Sequence, residues 1–109
     1  MRQADVFVYN KRAGQLIEDA EGYHFLYDPE YLKSVEPQAV SLTLPLQAEP
    51  FVSRILFPFF DGLIPEGWLL DIAVKNWKLN PRDRMGLLLV CCKDTIGAVS
   101  IYPSKSTEE

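Results

Sequence analysis

The chain has 109 residues, 48% of them hydrophobic and 24% charged, which suits one compact globular domain with its own core and excludes a disordered segment. Its net charge is −4, and Lys75, Lys78, Arg82 and Arg84 are diluted by Asp71 and Asp83, so direct binding of DNA or RNA, which needs a basic stripe, is not expected. No apolar run approaches the ~20 residues that span a bilayer, and the first residues enter a strand pattern rather than a leader; the chain reads as cytoplasmic, without a membrane partner, and with an acidic surface suited to a basic protein.

Residues 5–9 (DVFVY) are β-branched and aromatic, and 10–14 (NKRAG) form a polar turn ending in glycine. Residues 15–18 (QLIE) and 23–27 (YHFLY) read as the next two strands, joined by a turn at 19–22 (DAEG). Short turns between successive strands make an antiparallel meander. Asp28 and Pro29 end it, and Pro29 opens a single helical turn through Leu32. Residues 39–44 (AVSLTL) alternate with period two and are expected to form a strand that stops at Pro45.

The second half changes period. Apolar residues at Phe51, Ile55, Phe59 and Leu63, with Val52, Leu56 and Phe60 beside them, outline a broad helical face over 51–63. Pro58 interrupts it, so either the helix kinks there or regular helix starts only a residue or two before. Pro65 takes the first position of a further helix, with Glu66 favourable at its N-terminus; Leu69, Ala73 and Trp77 share one of its faces. Asn80 caps a third helix, with Pro81 first and an end near Cys91. Residues 95–102 return to strand, and 104–109 read as a polar, disordered tail, which leaves 1–103 as the domain. The expected class is α+β: a small antiparallel sheet, a meander either open or rolled toward a barrel, with about three helices.

Little in the sequence points to catalysis. Neither a GxxxxGK[ST] nor a GxGxxG phosphate loop is present. His24, the single histidine, sits in mid-strand; Asp28 or Glu30 could serve it as partner, but no nucleophile is placed beside it. Asp61 and Glu66 could form a carboxylate pair, although a helix end followed by a first-turn acid explains them as well. Adjacent Cys91 and Cys92 would close only a strained ring and are too few for a zinc site. Two small buried residues are the simpler account. Catalytic, cofactor-binding and metal-ligating residues are therefore not expected, nor is a cofactor.

The stretch 59–68 (FFDGLIPEGW) stands out. Gly62, Pro65 and Gly67 shape an elbow between two helices, and Trp68 follows at once, off the face of Leu69, Ala73 and Trp77. Tryptophan is the side chain most enriched among interface hot spots. Asp61, Gly62, Ile64, Pro65, Glu66, Gly67 and Trp68 are the expected partner-binding set; the competing reading folds Trp68 back onto the core.

Three stretches, 41–46 (SLTLPL), 59–67 (FFDGLIPEG) and 94–99 (DTIGAV), supported by the turn at Gly14 and by 27–32 (YDPEYL), resemble N-terminal subdomain 1 of the HipA-family serine/threonine kinases, the toxins of HipBA modules. The likeness spans nearly the whole chain, in order. In that family the phosphate-binding loop, catalytic aspartate and metal-binding aspartate follow this region. No residue here matches them, so no kinase activity is expected of this chain by itself. A separate copy of the subdomain is similar to HipS, the antitoxin of three-part HipBST modules, in which the HipT kinase lacks it and a HipB-like helix-turn-helix protein binds DNA. The resemblance implies an antitoxin that docks on a HipT-like kinase in place of the missing subdomain and meets DNA only through the complex. The alternative is a non-inhibitory structural subunit that completes a truncated kinase. Pro58 stands where the resemblance leads one to expect a polar residue.

Overall fold

Alternation in the first strands sets the architecture. In β1 (Arg2–Val8) the buried residues are Ala4, Val6 and Val8, every second position, the pattern of a strand covered on one face. β2 (Lys11–Asp19) and β3 (Gly22–Tyr27) continue it with Leu16, and with Phe25 and Tyr27. The computed structural model describes residues 2–64, 75, 78, 80, 82–91 and 98–104. Within them, β4 (Phe51–Ser53) and β5 (Val99–Pro103) complete a five-stranded sheet in the order β4-β3-β2-β1-β5, each neighbouring pair antiparallel. The sheet is open, with β4 and β5 as its edges, and does not close into a barrel.

Both hairpin turns are tighter than expected. Tyr9 and Asn10 alone join β1 to β2, so residues 11–14 belong to the strand rather than to a loop. Opposite Val6 and Phe7 the register skips Ala13, so β2 carries a bulge just after that turn. The second turn ends at Gly22, whose φ is +136°, and a β-carbon there would run into the Ser53 carbonyl. Glycine is what lets edge strand β4 come so close.

Among the described residues, α1 (Pro29–Leu32), α2 (Pro58–Asp61) and α3 (Arg84–Cys91) add the helical part of the α+β fold. The core forms between one sheet face (Ala4, Val6, Leu16, Phe25, Ile101), Phe60 of α2, and Met85, Leu87 and Leu88 of α3, all fully buried. α3 is keyed to the sheet by charge. Arg2 Nη1 and Nη2 donate to the two oxygens of Asp83 at 2.9 and 2.8 Å, and Nε donates to Glu18 Oε1 at 2.6 Å. This forked geometry is specific to guanidinium and carboxylate. Asp83 also caps α3 by accepting the Gly86 N–H at 3.2 Å. Its carboxyl is held below the usual aspartate range, first by the Arg2 hydrogen bonds.

The structure corrects three sequence expectations. Residues 39–44 form no strand: Val40 and Leu44 are buried while Leu42 is fully exposed. The chain reverses there, with Leu44 N–H donating to the Ser41 carbonyl at 3.1 Å and the two residues forming a lone bridge. The helical face over 51–63 is in fact two elements. Phe51–Ser53 pairs with β3 as a strand, and helix begins only at Pro58, which fits a first position but lacks the N–H an earlier turn would need. The last helix starts at Arg84 rather than at Pro81. Asn80 Oδ1 accepts the Arg82 N–H at 2.9 Å in a local turn, and capping passes to Asp83.

Other expectations stand or fall outside the described residues. Pro29 opens α1 and Cys91 ends α3, as read from the sequence. Ser104 is buried, and its N–H donates to the Gln3 carbonyl at 3.0 Å, so it continues the β5 edge. Of the helix expected after Pro65, Lys75 is described and is helical, while 65–74 and residues 95–97 of the last strand lie outside the described residues.

Candidate functional site

The elbow starts from an aromatic anchor. Phe60 is fully buried, its ring centred 5.5 Å from Phe25, 6.2 Å from Phe57 and 5.3 Å from Phe59. A helix turns about 100° per residue, so fixing Phe60 inward carries Asp61 toward solvent. There Arg84 Nε, from the first turn of α3, donates to Asp61 Oδ1 at 2.6 Å. The two side chains are 42% and 34% exposed, which limits such a pair to about 1 kcal/mol or less. Its role is positional: it joins α2 to α3 across the segment that separates them.

Gly62 is conformationally ordinary. Its φ is −69°, in the right-handed helical region, so the bend does not depend on glycine at this position. Hydrogen bonds make the turn instead. Gly62 N–H donates to the Pro58 carbonyl at 2.9 Å, Leu63 N–H to Phe60 at 3.0 Å and Ile64 N–H to Asp61 at 3.2 Å, the tightening common at a helix C-terminus. Ile64 is only 2% exposed and packs into the core, which closes the turn from inside. Of the expected partner-binding set, the structure thus brings Asp61 and Gly62 to the surface and Ile64 beneath them. Pro65, Glu66, Gly67 and Trp68 lie outside the described residues, as do Trp77 and any pairing of Asp61 with Glu66.

Beside Asp61, the residues Ile55, Leu56, Pro58 and Arg84 line a shallow hollow of about 370 Å³. Ile55 is 70% exposed. An apolar ledge walled by one ion pair resembles the mixed surface of a protein interface more than a polar substrate pocket.

Among the described residues, the remaining candidates lie apart from one another or in other partnerships. His24 Nε2 lies 3.0 Å from Asp19 Oδ2, whereas Asp28 accepts from Arg12 Nη1 at 2.7 Å. Asp19 is held below the usual carboxylate range, mainly by the Glu21 backbone N–H and further by His24. Cys91 ends α3, and Cys92 lies outside the described residues. Among the described residues, no group of three or more His, Cys, Asp and Glu side chains could hold a metal ion. No described helix is long and apolar enough to cross a membrane.

Sequence reasoning missed the two ion pairs that frame the elbow. Arg84 and Asp61 are 23 positions apart, and Arg2 and Asp83 are 81 apart, so no local period could reveal them. The one visible hint was an Asp-Arg step at the start of a helix.

Comparison with known proteins agrees with this architecture. The family model described as HipA N-terminal domain matches residues 4–102. An uncharacterized protein of Haemophilus influenzae is 36% identical over 105 residues, covering 96% of this chain and 95% of that protein. A Sinorhizobium fredii protein named "Putative kinase Y4mE" is 30% identical over 104 residues; the match covers 94% of this chain but only 25% of that one. Among solved structures, the N-terminal domain of HipA toxin superposes with a TM-score of 0.71 at 30% identity, covering 96% of this chain and 94% of that chain.

Proposed function

The chain belongs to the HipA N-terminal domain family, and from that premise we propose that it is an antitoxin acting in trans. It docks onto a HipA- or HipT-like serine/threonine kinase at the place of the missing N-terminal domain and neutralises it. The supporting observation is the contrast between two relatives: the matched unit is a quarter of the kinase-named chain and nearly all of the Haemophilus protein. A face that the fused unit turns toward the rest of its own chain is free, in a separate unit, to meet another chain. On this reading the protein is a binding subunit without catalysis of its own, and a HipB-like protein brings the complex to DNA.

Asp61, Gly62, Pro65, Glu66, Gly67 and Trp68 form the docking elbow, with Ile64 supporting it from the core and Trp68 reaching toward the kinase. The test adds purified chain to such a kinase and follows transfer of phosphate from ATP. Inhibition at equimolar chain is expected. Trp68→Ala should keep the melting temperature yet bind about thirty- to a thousand-fold more weakly, the ~2–4 kcal/mol typical of a truncated hot spot. Stimulation of the kinase would overturn the antitoxin reading in favour of a completing subunit.

A further inference from the structure

The stretch 41–46, one of the three that carry the family likeness, is not used by the docking elbow. Its three leucines part company in the structure: Leu44 is 2% exposed, Leu46 is 38% exposed and Leu42 is fully exposed. A single exposed leucine is ordinary on a protein surface. What sets Leu42 apart is the rigidity of its support. The buried Tyr27 hydroxyl accepts the Val40 N–H at 3.0 Å and donates to the Leu44 carbonyl, so one side chain clasps both stems of the turn. Between them, Ser41 Oγ accepts the Thr43 N–H at 3.2 Å, and the Ser41 carbonyl accepts the Leu44 N–H at 3.1 Å. Val40 and Leu44 anchor the stems in the core. The backbone of the tip is thus fixed in shape while the Leu42 side chain touches nothing, and a turn held this way loses little backbone freedom on binding.

We infer that Leu42 is a preformed apolar knob that inserts into a nonpolar pocket on the kinase partner, a contact additional to the elbow. The inference rests on the reading proposed above. Charge favours a different chain over a second copy as the occupant: every copy carries −4, so self-association meets repulsion, whereas a basic partner is attracted. The turn also belongs to the part of the chain matched both in the kinase-named relative and in the HipA toxin domain; in the longer relative, most of the chain lies beyond the matched unit.

The experiment titrates the whole chain into the kinase by calorimetry, using wild type, Leu42→Asp and Val35→Asp. Val35, 83% exposed and outside the turn, controls for adding a charge to an exposed apolar position. Leu42→Asp is expected to keep the wild-type melting temperature and bind roughly ten- to a hundred-fold more weakly, while Val35→Asp binds as wild type does. Equal binding by Leu42→Asp overturns the knob and leaves the antitoxin reading standing. Equal weakening by both variants also overturns the knob, by reducing the effect to charge. Absence of wild-type binding overturns both readings. A wild-type dimer in sedimentation that Leu42→Asp abolishes would assign the knob to a second copy instead.

Discussion

Residues 2–27 and residues 33–64 are held by different means. The first stretch is a ladder: β1, β2 and β3 satisfy one another's backbone groups along antiparallel registers, with one bulge at Ala13. The second has only the three residues of β4 and the single turn of α2 as regular structure. Much of its support comes from side chains. The Tyr27 hydroxyl binds Val40 and Leu44, and the Tyr31 hydroxyl donates to the Gln38 carbonyl at 2.8 Å while accepting the Gln38 N–H at 3.0 Å. Every buried backbone group needs a partner. In the ladder that need is shared among many residues, so alternation is enough; in the loop much of it falls on two hydroxyls, and sensitivity to substitution is concentrated there.

Phe60, where the second stretch locks onto the first, should show the largest effect. Phe60→Ala is expected to cost about 3–5 kcal/mol in denaturant unfolding; a loss under about 1 kcal/mol would mean that the elbow is not anchored by the core. Tyr27→Phe keeps the buried ring and removes only the hydroxyl, leaving the Val40 N–H and the Leu44 carbonyl unpaired. About 1–3 kcal/mol should be lost, whereas Ser100→Thr, within the ladder, should stay inside about 0.5 kcal/mol. Equal losses from these two would erase the contrast between the regions.

A smaller effect tests the charge key of α3. Asp83 titrates below its ordinary value of 3.8 in the folded chain, with Arg2 as the main cause. Its contribution is therefore present above the unfolded value and is lost as pH falls through the folded one. Arg2→Met should flatten the acid limb of the stability curve below about pH 4. Because both groups are partly exposed, the loss at neutral pH should stay near 1 kcal/mol. Urea melts at pH 3 and pH 7 measure both quantities, and an unchanged acid limb would separate Asp83 from Arg2. The smallest effect is expected at Gly62. A β-carbon there would sit 3.3 Å from the Pro58 carbonyl, a tight contact that offsets the gain from stiffening a helical glycine. Gly62→Ala should fall within about 1 kcal/mol of wild type by the same melts; a loss above about 2 kcal/mol would give the glycine the shaping role its sequence context suggests.

The same contrast explains what the sequence disclosed. Strands β1 to β3 were legible because alternation is a local signal, and α1 because Pro29 fixes its own backbone angle. Residues 39–44 misled because Val40, Leu42 and Leu44 alternate in sequence while a reversal buries only the outer two. Residues 51–63 misled because a short strand, a connection and one helical turn happen to place their apolar residues at helical spacing. For the candidate site, the aromatic pair before Asp61 and a turn directly after it were visible. The Asp61–Arg84 pair that steadies it depends on the tertiary fold.

One pairing has a consequence for synthesis. β1 is translated well before its second neighbour, β5. At the usual 5–20 residues per second, roughly 5 to 20 seconds pass between them. Through that interval β1 can already hold β2 on one side, while the amides and carbonyls of its other side face outward, a template for any passing strand. The bulge at Ala13 of β2 increases the local twist of the β1–β2 pair, and a twisted edge is a poorer template than a flat one. The irregularity that spoils an ideal hairpin can thus protect the nascent chain until β5 arrives.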